Sequence, residues 1–118
     1  MQQNQQRLNS LCIVRLSAIG DVCHAVATVQ AIQRRMPETL ITWVIGKVEH
    51  GLVGDLPGIE FVVFNKRRGL KAYLALRRRF RNRAPFDALL QMQTSLRANL
   101  VGGMIKAHRK IGFPPSKA

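Results

Sequence analysis

Acidic side chains are few in this chain: six Asp and Glu stand against nineteen Lys and Arg, a formal net charge of +13 at pH 7. That imbalance implies an anionic partner, whether nucleic acid, a phosphorylated substrate or a membrane surface. Long apolar runs are missing too, and none approaches the roughly 20 residues needed to span a bilayer. The first nine residues, MQQNQQRLN, lack the apolar centre of a secretory signal and read as a flexible polar leader, so a cytoplasmic location is the default. The two cysteines, Cys12 and Cys23, fall at neither CxxC nor metal-ligand spacing, which leaves buried thiols as their expected role. His24, His50 and His108 have no ligand partners at useful spacing, and no metal site is expected. Internal repeats and helix-turn-helix, zinc-finger or RNP patterns are absent as well.

With 118 residues, 47% of them hydrophobic, there is enough chain for one packed domain, though little for an enzyme with its own substrate cleft. The stretch LCIVRLSAIGDVCHAVATVQAIQRRM, residues 11–36, organises the rest. Leu11 to Leu16 is a β-branched and aliphatic run, SAIG interrupts it, and from Asp21 the apolar positions Val22, Val26, Val29, Ile32 and Met36 take helical spacing. Pro37 breaks the helix. Leu40 to Ile45 reads as a second strand ended by Gly46, and Lys47 to Asp55 as one or two helical turns. Pro57 and Gly58 make a turn before a third strand at Ile59 to Phe64. Leu70 to Arg83 is expected to be a helix with Leu70, Tyr73, Leu74 and Phe80 on its apolar stripe, stopped by Pro85. Phe86 to Met92 reads as a fourth strand. Ser95 to Ala107 reads as a helix capped by Ser95 or Thr94, with Leu96, Leu100, Met104 and Ile105 apolar; Lys110 to Phe113 begins another strand. This alternation predicts an α/β fold, a Rossmann-like parallel sheet with helices on both faces.

In such a sheet the first βα turn lies at the carboxyl edge of the strands, where ligands bind. Asp21 sits there beside Ser17 and Gly20. Its loop has a single glycine, so neither a dinucleotide fingerprint nor a Walker sequence is present. Two readings of Asp21 remain: it caps or charges the helix start, or its carboxylate is a general base that takes a proton from an attacking hydroxyl. His24, one turn on, is either structural or faces the same cleft.

Charge is concentrated as well as abundant, since Lys66 to Arg83 holds nine Lys or Arg among eighteen residues. Seven of the nine are arginine, which favours forked recognition of phosphate or carboxylate over simple solvation. Nucleic-acid binding by a small basic module is the alternative reading, but Tyr73 and Phe80 are assigned to the apolar stripe rather than to base stacking. Arg97 opens the helix after the fourth strand, close to Gln91 and Gln93. It is either a surface arginine or a contact for an anionic ligand.

The stretch IVRLSAIGDVCHAVATVQAIQRRMPETLITWVI, residues 13–45, closely resembles the amino terminus of the ADP-heptose:lipopolysaccharide heptosyltransferases, glycosyltransferase family 9. The resemblance rests on the S-x-x-G-D loop between strand and helix, the Met36-Pro37 break, and Trp43 in the second strand. It continues through PGIEFVVF, the basic segment, FDALLQMQTSLRANL and KIGF. It implies a GT-B enzyme of two Rossmann-like domains, with residues 10–118 an incomplete N-terminal acceptor-binding domain. The donor, ADP-heptose, would bind a C-terminal domain absent from this chain, and no cofactor is implied.

By the same resemblance Asp21 is the base that deprotonates the acceptor hydroxyl, with inversion at the heptose anomeric carbon. Ser17 and Gly20 shape its loop. Lys66, Arg67, Arg68 and Lys71, with Gln93 and Arg97, meet an anionic lipid A acceptor carrying Kdo or heptose. Peripheral contact with the inner leaflet of the inner membrane is implied too. Where many family members carry D-x-Q-G, this chain has Gln91, Met92, Gln93 and Thr94. A fragment is expected to be inactive alone, and a truncated product without activity is a third reading.

Overall fold

A computed structural model describes residues 8–93 and 95–112. Five parallel strands form one sheet in the order β3-β2-β1-β4-β5: β1 Ser10–Val14, β2 Leu40–Gly46, β3 Ile59–Phe64, β4 Phe86–Gln91 and β5 Ala107–Gly112. Helices α1 (Ile19–Arg35), α2 (Lys47–Val53), α3 (Leu70–Arg81) and α4 (Leu96–Gly103) are the crossovers, with a 3-10 turn at Lys66–Arg68. The chain steps outward from β1 to β3, then returns across β1 to build β4 and β5. The topological switch therefore falls between β1 and β4.

Central strands buried on both faces are apolar except where a polar group finds a partner, and LCIV and ITWVI fit that requirement, the one hydroxyl, on Thr42, being hydrogen-bonded to Glu60. Alternation then sorts the side chains. Cys12, Val14, Val44, Val62 and Phe64 pack on one face against Ala72, Leu76 and Phe80 of α3 and Ala98 and Val101 of α4. On the opposite face Leu11, Ile13, Ile41, Trp43 and Ile45 pack against Val22, Ala25 and Val29 of α1 and Val53 of α2. Glu60 of β3 ties α3 down, accepting hydrogen bonds from Arg83 (2.8 Å), Arg79 (3.2 Å) and Thr42 (2.9 Å). Among the described residues no helix is long and apolar enough to cross a membrane.

Several local expectations are corrected. Helix α1 begins at Ile19 rather than Asp21, with Ala18 at the N-cap, so Asp21 charges the first turn without capping it. Cys12 is buried as expected, but Cys23 is exposed, because Val22 and Ala25 occupy the sheet-facing side of that turn. In α3 the buried stripe is Ala72, Leu76 and Phe80, while Leu70 and Leu74 face solvent. Ala72 lets the helix sit close to the sheet, and residues two positions earlier lie about 200° around the axis. The same shift occurs in α4, where Ala98 and Val101 are buried and Leu96 and Leu100 exposed. That helix ends at Gly103 rather than Ala107, since two consecutive glycines are poor helix formers. Strand β5 then starts at Ala107, ahead of the expected Lys110. The Ser95 hydroxyl does cap α4, accepting from Ala98 N–H at 3.1 Å; Thr94 and Phe113 lie outside the described residues.

Candidate functional site

The loop after β1 is held from two sides. Arg15, its side chain 15% exposed, donates through one guanidinium nitrogen to the Met92 carbonyl. Its other terminal nitrogen lies 2.6 Å from the Asp21 carboxylate, which is 59% exposed. From just beyond β4, the Gln93 side-chain oxygen accepts from Leu16 N–H (2.8 Å) and Ser17 N–H (3.1 Å), and its amide nitrogen reaches the Ser95 hydroxyl (3.1 Å). The indole N–H of buried Trp43 donates to the Arg15 carbonyl at 3.2 Å. The switch point is thus clamped by Arg15 and Gln93, and Asp21 is presented on a fixed tether.

Beside it opens a cavity of about 500 Å³ at the ends of β1, β2 and β3. Leu16, Gly46 and Phe64 contribute to its wall, together with Ser17, Asn65 and Glu49 and four cations, Lys47, Lys66, Arg67 and Arg97. Gly46 is required by close approach, since a Cβ there would lie 2.5 Å from the Leu16 carbonyl oxygen. The Asn65 side chain accepts from Arg67 N–H at 3.1 Å, closing the 3-10 turn that carries Lys66 and Arg67. Gly69 ends that turn at φ 58°, a left-handed conformation that suits glycine. Four cations against one carboxylate make the cavity selective for an anion, and guanidinium forks suit phosphate or carboxylate groups.

The structure brings Ser17, Lys66, Arg67 and Arg97 together on this wall. Asp21 and Gly20 lie on the adjoining first turn of α1, and both are exposed. Gln93 is not on the cavity wall; its side chain is engaged by the β1 loop. Arg68 lines a separate depression of about 140 Å³ with Arg79. His24 is exposed, and His50 packs edge-on to Phe61 with centroids 5.2 Å apart. Among the described residues no group of His, Cys, Asp and Glu could hold a metal ion.

Arg15, Lys47, Glu49 and Asn65 are site residues that the sequence reading did not select. Arg15 carried a signal, as the one charged residue in an otherwise apolar run. Lys47 and Glu49 follow the glycine that ends β2, and so had to fall at the same sheet edge.

No family model matches the chain. It is 51% identical over 104 residues to the lipopolysaccharide core heptosyltransferase OpsX of Haemophilus influenzae, covering 88% of this chain and 30% of that protein. A glycosyltransferase family 9 structure from Veillonella parvula shares the fold with TM-score 0.77 at 16% identity, covering 88% of this chain and 32% of that one. The heptosyltransferase WaaC of E. coli with ADP superposes with TM-score 0.70 at 24% identity, covering 88% and 35%. The chain therefore spans about a third of the length of each of these three proteins. The resemblance drawn from the residues stands, and the Rossmann-like sheet is the one found in the family 9 glycosyltransferase and WaaC structures.

Proposed function

We propose that this chain forms the acceptor-binding part of a cytoplasmic, inverting heptosyltransferase of lipopolysaccharide core synthesis, transferring heptose from ADP-heptose to a Kdo or heptose residue on lipid A. The observation that carries this reading is the 51% identity to OpsX over 88% of the chain. The geometry supports it: a carboxylate held by Arg15 stands beside a cavity with four cations.

In this reading the ionised Asp21 carboxylate accepts the proton of the acceptor hydroxyl as that oxygen attacks the heptose anomeric carbon. The bond from that carbon to the diphosphate breaks, ADP leaves with the electron pair, and configuration inverts. Asp21 then returns its proton to water. Lys66, Arg67 and Arg97 hold the acidic acceptor. Gln93 and Arg15 keep the loop and the base in place. The donor is held by residues beyond the third of the relative's length that this chain matches.

Titration of the chain with a soluble Kdo-bearing lipid A headgroup, against short duplex DNA and at two salt concentrations, tests the acceptor half of this proposal. Saturable sugar binding that survives moderate salt is expected. It should weaken with Arg67→Ala, on the cavity wall, and hardly change with Arg68→Ala. Binding to DNA alone, or to both ligands only at low salt, would reduce the charge to a generic cationic surface.

A further inference from the structure

Glu49 is out of keeping with the rest of the cavity wall. It stands half-buried on a wall shared with Lys47, Lys66, Arg67 and Arg97, yet among the described residues its carboxylate forms neither an ion pair nor a hydrogen bond. Asp21 and Glu60, by contrast, are both held by arginine.

A structural duty would be the ordinary explanation. Glu49 is the third residue of α2, where a carboxylate can reach back to the N-cap amide. That amide is Gly46 N–H, which already donates to the Leu16 carbonyl at 2.9 Å, and α2 has no side-chain cap. The carboxylate nevertheless folds back over Gly46, where an added Cβ would clash with its Oε1. It therefore lies against the β2 end of the cavity with its oxygens uncommitted.

Toward a bare phosphate or carboxylate, Glu49 is a liability, because like charges repel across the site. Toward an anion that also carries hydroxyl groups, it is an asset. Lysine and arginine offer only donors, whereas a carboxylate offers only acceptors, and its bonds from hydroxyls are charge-assisted and strong. The Asn65 side-chain oxygen is engaged by Arg67 N–H, which leaves Glu49 as the strongest hydroxyl acceptor on the wall.

We propose that Glu49 is a specificity-determining residue, accepting hydrogen bonds from the hydroxyls of a sugar whose phosphate or carboxylate is held by Lys66, Arg67 and Arg97. This rests on the reading of the cavity as the acceptor site, and narrows its ligands from anions to polyhydroxylated anions.

Calorimetric titration of the chain with methyl phosphate, glucose 6-phosphate and the methyl glycoside of Kdo tests it. The two phosphates carry the same charge, so the difference between them reads the hydroxyls. Glu49→Gln should bind methyl phosphate about twofold more tightly or better, by relief of repulsion, and the favoured sugar anion at least about fivefold more weakly. The opposite signs are diagnostic, since a merely structural role moves all ligands the same way. Glu38→Gln, exposed beside a different depression, should change none of them, and both variants should keep the circular dichroism spectrum of the unaltered chain. Equal changes for sugar anion and methyl phosphate, no change in either, or no preference for a sugar anion in the unaltered chain overturns the proposal. A Glu49-dependent preference for glucose 6-phosphate without binding of the Kdo glycoside would sink the acceptor reading and leave the role of Glu49 standing. Saturable Kdo binding that ignores Glu49→Gln would do the reverse.

Discussion

Removing the Arg15 guanidinium is the sharpest probe of how the β1 loop is held. Arg15→Ala deletes a charged hydrogen bond to the Met92 carbonyl, worth about 1.5–3 kcal/mol. It also deletes the ion pair with Asp21, whose carboxylate is 59% exposed, so that part is worth at most about 1 kcal/mol. Together the loss should be about 1.5–4 kcal/mol. Asp21→Ala removes the pair but leaves Arg15 bonded to Met92, and should cost about 1 kcal/mol or less. The double variant should then be less destabilised than the sum, by a coupling energy of about 0.5–1 kcal/mol. Urea unfolding followed by circular dichroism, with slopes compared to verify that the unfolded state is unchanged, measures all four corners of the cycle. A coupling energy of zero would refute the pairing. An Arg15→Ala cost within about 0.5 kcal/mol, the range of an ordinary surface change, would refute the clamp altogether.

The remaining expectations concern the supports of the site. Hydrogen bonds from Arg83 chiefly, opposed by partial burial and aided by Thr42 and Arg79, hold the Glu60 carboxyl below its ordinary value of 4.5. A group depressed in the folded state contributes stability above its unfolded value and loses it as pH falls through the folded one. Thermal melts should therefore show stability falling below pH 4.5, and Glu60→Gln should flatten that acid limb while lowering stability at pH 7. At Gly46 an added methyl would press on the Leu16 carbonyl, so Gly46→Ala should destabilise by about 1–3 kcal/mol in the same urea assay. The two thiols should separate in reaction with a disulfide reagent. Exposed Cys23 should react in the native protein, while Cys12, pushed up to about 12 by burial, should react only on unfolding. Equal rates for both would contradict the burial of β1.

Residue periodicity by itself determined most of the architecture. LCIV and ITWVI carry no polar face, so they could only be interior parallel strands, and the helical spacing after Asp21 made the first crossover legible. The S-x-x-G-D loop located the edge where chemistry belongs, and with Asp21, Ser17 and the basic block it named much of the candidate site. What the tertiary structure decided was direction. Leu70 and Leu96 are larger apolar side chains than Ala72 and Ala98, yet Ala72 and Ala98 turn inward, because a helix packs closest to a sheet where its side chains are small. Lys66 and Arg67 face the cavity while Arg68 lines another depression, since the 3-10 turn capped by Asn65 distributes three successive cations around its axis. Gln93 became a support because β4 pairs with β1, bringing its side-chain amide within reach of the Leu16 and Ser17 backbone 77 and 76 residues away. Arg15 and Asp21 lie six positions apart in sequence, but it is the burial of one and the exposure of the other that turn them into a held carboxylate. Local spacing encodes which elements form. Contacts between elements far apart in the chain choose which side chains those elements show to a ligand.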